Sequence, residues 1–140
     1  MGPALHGIDH VALTCFDLKA TERFYGELLG LPVAERANGV SAEWGGRAWQ
    51  LAGFALPNGT LLDFFSIEGE ERPAPRGSID TVRHVALAVP SRADLEAWRK
   101  KLEANGHPVL EEQDHGEGRH SLYFSDPNGH YLELTCRPGR

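Results

Sequence analysis

Apolar and polar residues along the chain fall into two similar runs of elements. Residues 8–15 form a short β-rich stretch. Asp17 then suits a helix N-cap, Ala20, Phe24 and Leu28 recur at helical spacing, and Gly30 with Pro32 ends the helix. Residues 48–56 and 61–67 read as strands on either side of Pro57-Asn58-Gly59, and Asn-Gly between apolar runs is a strong hairpin signal. In the second half, residues 85–89 read as a strand. Ser91 and Asp94 resemble a capping box, Leu95, Trp98 and Leu102 form an apolar stripe, and Asn105-Gly106 stops it. Residues 121–125 and 131–135 flank a second hairpin turn, Pro127-Asn128-Gly129. The weakest strand signals lie near residues 40–44 and 109–113.

The order repeats. His10-Val11-Ala12-Leu13 returns as His84-Val85-Ala86-Leu87 after 74 residues, and Pro57-Asn58-Gly59 as Pro127-Asn128-Gly129 after 70. Gly30-Leu31-Pro32-Val33 returns as Gly106-His107-Pro108-Val109. Three echoes in one order predict two βαβββ modules, residues 5–68 and 82–137, within a single domain spanning 1–140. Residues 69–81, rich in Pro, Gly and charge, read as the linker. The fold class is α+β.

Strand parity singles out four residues. His10, Ala12 and Thr14 share one face of the first strand, and His84, Ala86 and Ala88 share the matching face of its repeat. Aligning the two Pro-Asn-Gly turns sets Asp63 opposite Glu133, each a carboxylate between apolar neighbours. A carboxylate in an apolar strand is costly to bury unless it is paired or binds a metal. Two histidines and two carboxylates at repeated positions therefore predict one shared divalent-metal site. The remaining histidines fit less well. His115 and His120 lie in a polar stretch, residues 114–120, that reads as a loop; His107 follows a helix stop; His130 follows a turn; His6 stands four residues before His10.

Composition narrows the class. The chain has 140 residues, 14 Lys plus Arg against 20 Asp plus Glu, and a net charge of −6, which disfavours nucleic acid or an anionic membrane as partner. No apolar run approaches the roughly 18 residues of a membrane span, and residues 1–10 lack the pattern of a signal peptide. Two cysteines, Cys15 and Cys136, make no disulfide framework, so a cytoplasmic location is expected.

The carriers of these signals are His10-Val-Ala-Leu with Asp17-Leu18, Phe24-Tyr25 through Leu28-Leu29-Gly30-Leu31, His84-Val-Ala-Leu, and the run from Tyr123 through Asp126-Pro-Asn-Gly to Glu133-Leu134. Together they resemble the vicinal oxygen chelate superfamily, which includes glyoxalase I, methylmalonyl-CoA epimerase, extradiol dioxygenases, and fosfomycin- and bleomycin-resistance proteins. The resemblance covers nearly the whole chain. It implies paired βαβββ modules forming a curled mixed sheet around a cavity, a homodimer, and one divalent ion (Ni, Co, Mn, Fe or Zn) at His10, Asp63, His84 and Glu133. The glyoxalase I position matching Asp63 usually carries Glu, one methylene longer. Three arrangements stay open: Asp63 binds directly, binds through water, or leaves a three-ligand site.

The same resemblance implies a glyoxalase-like lyase or isomerase acting on a small molecule with vicinal oxygens through a metal-stabilised enolate, with Glu133 as ligand and base. Thr14 stands where many glyoxalase I proteins carry an arginine for the glutathione carboxylate. An epimerase would need a separate base, for which Glu43 is the candidate. Thr14, Phe65 and Tyr123 are expected in the substrate pocket, Phe65 because it shares the face of Leu61 and Asp63, with Trp44, Trp49 and Phe64 as further aromatic candidates. Tyr123 matches a tyrosine of both extradiol dioxygenases and fosfomycin-resistance proteins. The dioxygenase histidine has no match here, with Gly69 near its place. The basic loop of the fosfomycin-resistance group is replaced by acidic residues 111–117, although a phosphonate would favour cations. Metal-free binding of a drug or natural product, of the bleomycin-resistance type, is the alternative from a different class.

Overall fold

A computed structural model describes residues 2–139. The chain divides into two compact units, Met1–Arg72 and Pro73–Arg140. Each is built on a four-stranded mixed sheet.

In the first unit the strands are β1 (His10–Thr14), β2 (Val33–Ser41), β3 (Arg47–Ala55) and β4 (Leu61–Ile67), in the order β1-β4-β3-β2. β1 runs parallel to β4, and the other pairs are antiparallel. A parallel neighbour requires a crossover, which the helix after β1 supplies. Helix α1 (Leu18–Glu22) starts at Asp17, whose carboxylate accepts from the Ala20 N–H at 3.0 Å. It continues as a wider π turn over Arg23–Leu28, where the Leu29 N–H reaches the Phe24 carbonyl at 2.9 Å. The wider turn lets two consecutive residues, Phe24 and Tyr25, both face the core. The Tyr25 ring lies 4.4 Å from Phe64 and 5.8 Å from Phe54, centroid to centroid. This aromatic cluster covers one face of the sheet and leaves the other to His10 and Asp63.

The second unit repeats the plan with β5 (His84–Ala88), β6 (Glu111–Gly116), β7 (Arg119–Ser125) and β8 (Tyr131–Cys136), in the order β5-β8-β7-β6. Helix α3 (Arg92–Ala104) is capped by Ser91, whose hydroxyl accepts from the Asp94 N–H at 3.1 Å and donates to the Asp94 carboxylate at 2.6 Å. The buried α3 residues Leu95 and Leu102 pack toward the sheet's core face, which carries Leu122, Phe124, Leu132 and Leu134. At the β7–β8 turn, Asp126 Oδ1 accepts from the N–H groups of Asn128 and His130, each at 2.8 Å. Gly129 takes φ 90°, which favours glycine.

Three expectations need correction. The second strand of the first unit is Val33–Ser41, earlier and longer than residues 40–44; Ala42–Trp44 form a short 3₁₀ turn. Residues 114–120 are the facing ends of β6 and β7, with a turn at Gly116, Glu117 and Gly118. Both β2 and β6 are edge strands exposed along most of their length, so neither carries the alternation by which a half-buried strand is read. The linker contains a helical turn, α2 (Ser78–Val82), whose described residues include none that is buried and therefore left no apolar stripe.

Candidate functional site

The register of each sheet groups the chemistry-bearing side chains. In the first unit Ala12 pairs with Asp63, Asp63 with Gly53, and Gly53 with Glu35, so one face carries His10, Asp63 and Glu35. In the second unit Ala86 pairs with Glu133, Glu133 with Tyr123, and Tyr123 with Glu111, so the matching face carries His84, Glu133, Tyr123 and Glu111. Among the described residues no three His, Cys, Asp or Glu side chains gather as a metal cluster. Each unit presents a histidine–carboxylate pair.

Both histidines are held in the same way. His10 Nδ1 lies 2.8 Å from Asp9 Oδ2, and this contact raises the imidazole above its ordinary titration range, with smaller contributions from the charges of Asp63, Asp9 and Glu35 against the opposing effect of burial. His84 Nδ1 lies 2.9 Å from the Thr81 carbonyl and 3.2 Å from that of Val82. An acceptor at Nδ1 fixes the ring and leaves Nε2 to bind, which is how metal-ligating histidines are commonly oriented. His84 Nε2 faces Glu133 Oε1 at 2.9 Å. With the Nδ1 proton committed to backbone carbonyls, a proton or a cation at Nε2 is what makes that approach attractive.

The two carboxylates differ. Glu133 is 2% exposed, and its Oε2 accepts from the Ser121 hydroxyl at 2.6 Å and from Arg119 Nη2 at 3.4 Å. Burial pushes its pKa up, but the hydrogen bonds from Ser121 and His84 and the charges of His84 and Arg119 outweigh that and hold it below the usual range. Asp63 is 5% exposed, and burial pushes its carboxyl upward against the pull of His10. Its Oδ1 is buried without a hydrogen-bond partner. Gly53 makes the space for that oxygen: a Cβ at residue 53 would collide with Asp63 Oδ1 and lie 2.9 Å from Glu35 Cγ.

Within each unit, an imidazole whose Nδ1 is occupied and a buried carboxylate are borderline and hard donors of the kind that divalent ions take.

The pocket candidates are placed as follows. Thr14 is exposed on the His10 face, opposite Phe65. Phe65 packs against Trp44 and Trp49 at 6.1 and 5.9 Å, whereas Phe64 belongs to the opposite, core face. Tyr123 stands 5.8 Å from the His84 ring and stacks on Tyr131 at 5.5 Å. Tyr131 donates to Glu111 at 3.2 Å, and burial with the nearby Glu111 charge pushes its pKa up to about 12. Glu43 lies on the exposed 3₁₀ turn rather than on a strand. His115 Nε2 reaches the Ser121 hydroxyl at 3.1 Å, while His120 is buried toward Glu112 on the other face.

Sequence reasoning missed Glu35, Tyr131 and Arg119. Glu35 and Glu111 lie 76 residues apart, the offset of the Gly-x-Pro-Val echo, so the repeat itself marks them. Tyr131 shares strand parity with Glu133. Arg119 sits in the stretch read as a loop.

Known proteins share this fold. Residues 7–134 match the family described as the Glyoxalase/Bleomycin resistance protein/Dioxygenase superfamily. A metallothiol transferase FosB from Bacillus licheniformis is 35% identical over 130 residues, covering 91% of this chain and 73% of the relative. A glutathione transferase FosA from Serratia marcescens is 32% identical over 130 residues, covering 93% and 80%. A crystal structure of a glyoxylase/bleomycin resistance protein/dioxygenase domain from Frankia sp. EAN1pec superposes with a TM-score of 0.77 at 25% identity, over 96% of this chain and 99% of that one. With its two mixed four-stranded sheets and a family match across most of its length, the chain belongs to the glyoxalase/bleomycin resistance protein/dioxygenase superfamily.

Proposed function

We propose that His10, Asp63, His84 and Glu133 are divalent-ion ligands, and that the protein is a metal-dependent enzyme adding a thiol to a small, oxygen-bearing electrophile. The observation that carries this reading is the repeated pair: in each unit a histidine with its Nδ1 occupied stands on one sheet face with a buried carboxylate. The named activities of the two curated relatives favour thiol transfer over the glyoxalase-type reaction expected first.

When bound, the ion supplies Lewis acidity toward neighbouring substrate oxygens. The chain's own groups do the rest. Glu133, saturated by Ser121, His84 and Arg119, serves as a ligand and is poorly suited to moving a proton. Asp63 Oδ1, with no donor of its own, is placed to take the proton from the thiol. The new S–C bond replaces a C–O bond at the attacked carbon, and the proton returns to the departing oxygen. Tyr123 and Tyr131 wall the His84–Glu133 pair, and Trp44, Trp49 and Phe65 form an apolar surface on the His10 face. The orphaned Asp63 oxygen also favours a second reading, proton transfer at carbon in a lyase or isomerase.

The test is metal analysis of the purified protein and of His84→Ala, followed by incubation with an epoxide and glutathione or cysteine, with mass spectrometry of the product. The reading expects tight metal in the wild type, loss in the variant, and a metal-dependent thiol adduct. A wild type that binds no divalent ion ends it. Rearranged substrate without adduct selects the second reading.

A further inference from the structure

The two histidines draw their Nδ1 partners from different sources. His10 follows Asp9, whose carboxylate occupies its Nδ1. His84 follows Arg83, and a guanidinium accepts no hydrogen bond. Its acceptors come instead from the main chain of the linker: Nδ1 lies 2.9 Å from the Thr81 carbonyl and 3.2 Å from that of Val82. Both carbonyls belong to the last turn of α2, where a helix leaves its C=O groups without partners. His84 therefore caps α2, and α2 in turn aims His84.

A carbonyl only accepts, so these contacts require the ring proton on Nδ1. On the far side of the ring, Nε2 faces Glu133 Oε1 at 2.9 Å, also an acceptor. A neutral imidazole has one proton for the two sides. Two neutral hydrogen bonds at Nδ1 against one bond to a carboxylate at Nε2 is a near-even contest. It goes to Nδ1 only while both carbonyls stay in place. No apolar contact anchors them: α2 has five residues, none of them buried, and a helix that short does not hold unaided. Its ties are polar. Asp80 Oδ2 accepts from the Arg76 N–H at 2.5 Å, and its Oδ1 lies 3.6 Å from Arg76 Nε. These contacts close the chain across Gly77, where φ is 71°. The Thr81 hydroxyl donates to the Ser78 carbonyl at 2.8 Å. We infer that Asp80 is a positioning residue for His84: by fixing the α2 turn it keeps the ring proton on Nδ1 and leaves Nε2 open to a cation. What binds at Nε2 rests on the proposed function; how the ring is held does not.

The experiment is long-range proton–nitrogen NMR of the full, chelator-treated chain at about pH 8, above the ordinary imidazole value of about 6.5. In the wild type His84 carries its proton on Nδ1. Asp80→Ala moves it to Nε2, facing Glu133, whereas Asp80→Asn, which keeps an acceptor for the Arg76 N–H, retains the wild-type pattern. His10, held by Asp9, is unchanged in both variants and is the control for folding. Chelator competition on the same proteins shows about tenfold weaker metal binding in Asp80→Ala, the lower end of the range for groups that orient ligands, and wild-type binding in Asp80→Asn. A proton on Nε2 in the wild type, or one that stays on Nδ1 in Asp80→Ala, overturns the inference. So does an Asn variant that behaves as the Ala variant, or a change at His10 that matches the change at His84. Because the ring is read without metal, a wild type that binds no ion ends the metal reading and leaves this result standing.

Discussion

Gly53 and Asp63 are strand partners, and the missing side chain of the one makes room for the carboxylate of the other. Gly53 is not among the residues with positive φ, so its backbone accepts alanine. Gly53→Ala therefore acts through its added methyl group, forcing Asp63 or Glu35 aside. Metal affinity, read by competition with a chromophoric chelator, is expected to fall about 10–100-fold, the range for groups that orient ligands. Thermal stability is expected to fall by about 1–3 kcal/mol, the range for overpacking. Unchanged affinity would remove Asp63 from the ligand set.

Ser121 carries the corresponding prediction for the second unit. Its hydroxyl lies 2.6 Å from Glu133 and 2.8 Å from the Thr135 hydroxyl. Ser121→Ala leaves Glu133 buried with a donor missing, which costs about 1.5–3 kcal/mol for a hydrogen bond to a charged group. Urea denaturation is the check, and the chelator competition should show weaker metal binding in the same variant.

Much of this site was legible because it is repeated. His10 and His84 declared themselves by identical neighbours, and Asp63 and Glu133 by equal spacing from the hairpin turns. Parity also separated Phe65 from Phe64, since alternate residues of a strand must face opposite ways. What stayed hidden depended on the partner strand. Glu35 matters because β2 lies beside Gly53, and only the register reveals that. Arg119 was read as loop because β6 and the start of β7 are polar on both faces. The π turn at Arg23–Leu28 has no apolar period of its own, as Phe24 and Tyr25 are adjacent in sequence. Glu43 was chosen on the assumption of a strand; the chain instead leaves β2 at Ser41 and turns at Gly45, with φ 69°.

The aromatic core of the first unit predicts a large, local stability effect. Phe54 is fully buried between Tyr25 and Phe64, at 5.8 and 6.0 Å. Phe54→Ala is expected to cost about 3–5 kcal/mol through lost burial and the cavity left behind. Val40, 70% exposed, is the control: Val40→Ala should change the denaturation midpoint by less than about 0.5 kcal/mol.

Acid sensitivity should trace in part to Glu112, away from the metal-type residues. Its carboxylate is reached by His120 Nε2 at 2.5 Å and by Arg99 Nη2 at 2.6 Å. The His120 contact, then that of Arg99, holds its pKa below the ordinary value of 4.5 against a smaller upward push from burial. A carboxyl with a depressed folded-state pKa binds protons less readily folded than unfolded. The stability it contributes is therefore present above pH 4.5 and is lost as pH falls through the lower folded value. Its side chain is 42% exposed, so solvent screening limits the contribution to about 1 kcal/mol or less. Thermal melts of wild type and Glu112→Gln should differ at neutral pH and converge as the pH falls from 4.5 through the lower folded-state value. Parallel curves across that window would show that the Glu112–His120 contact contributes nothing to acid stability.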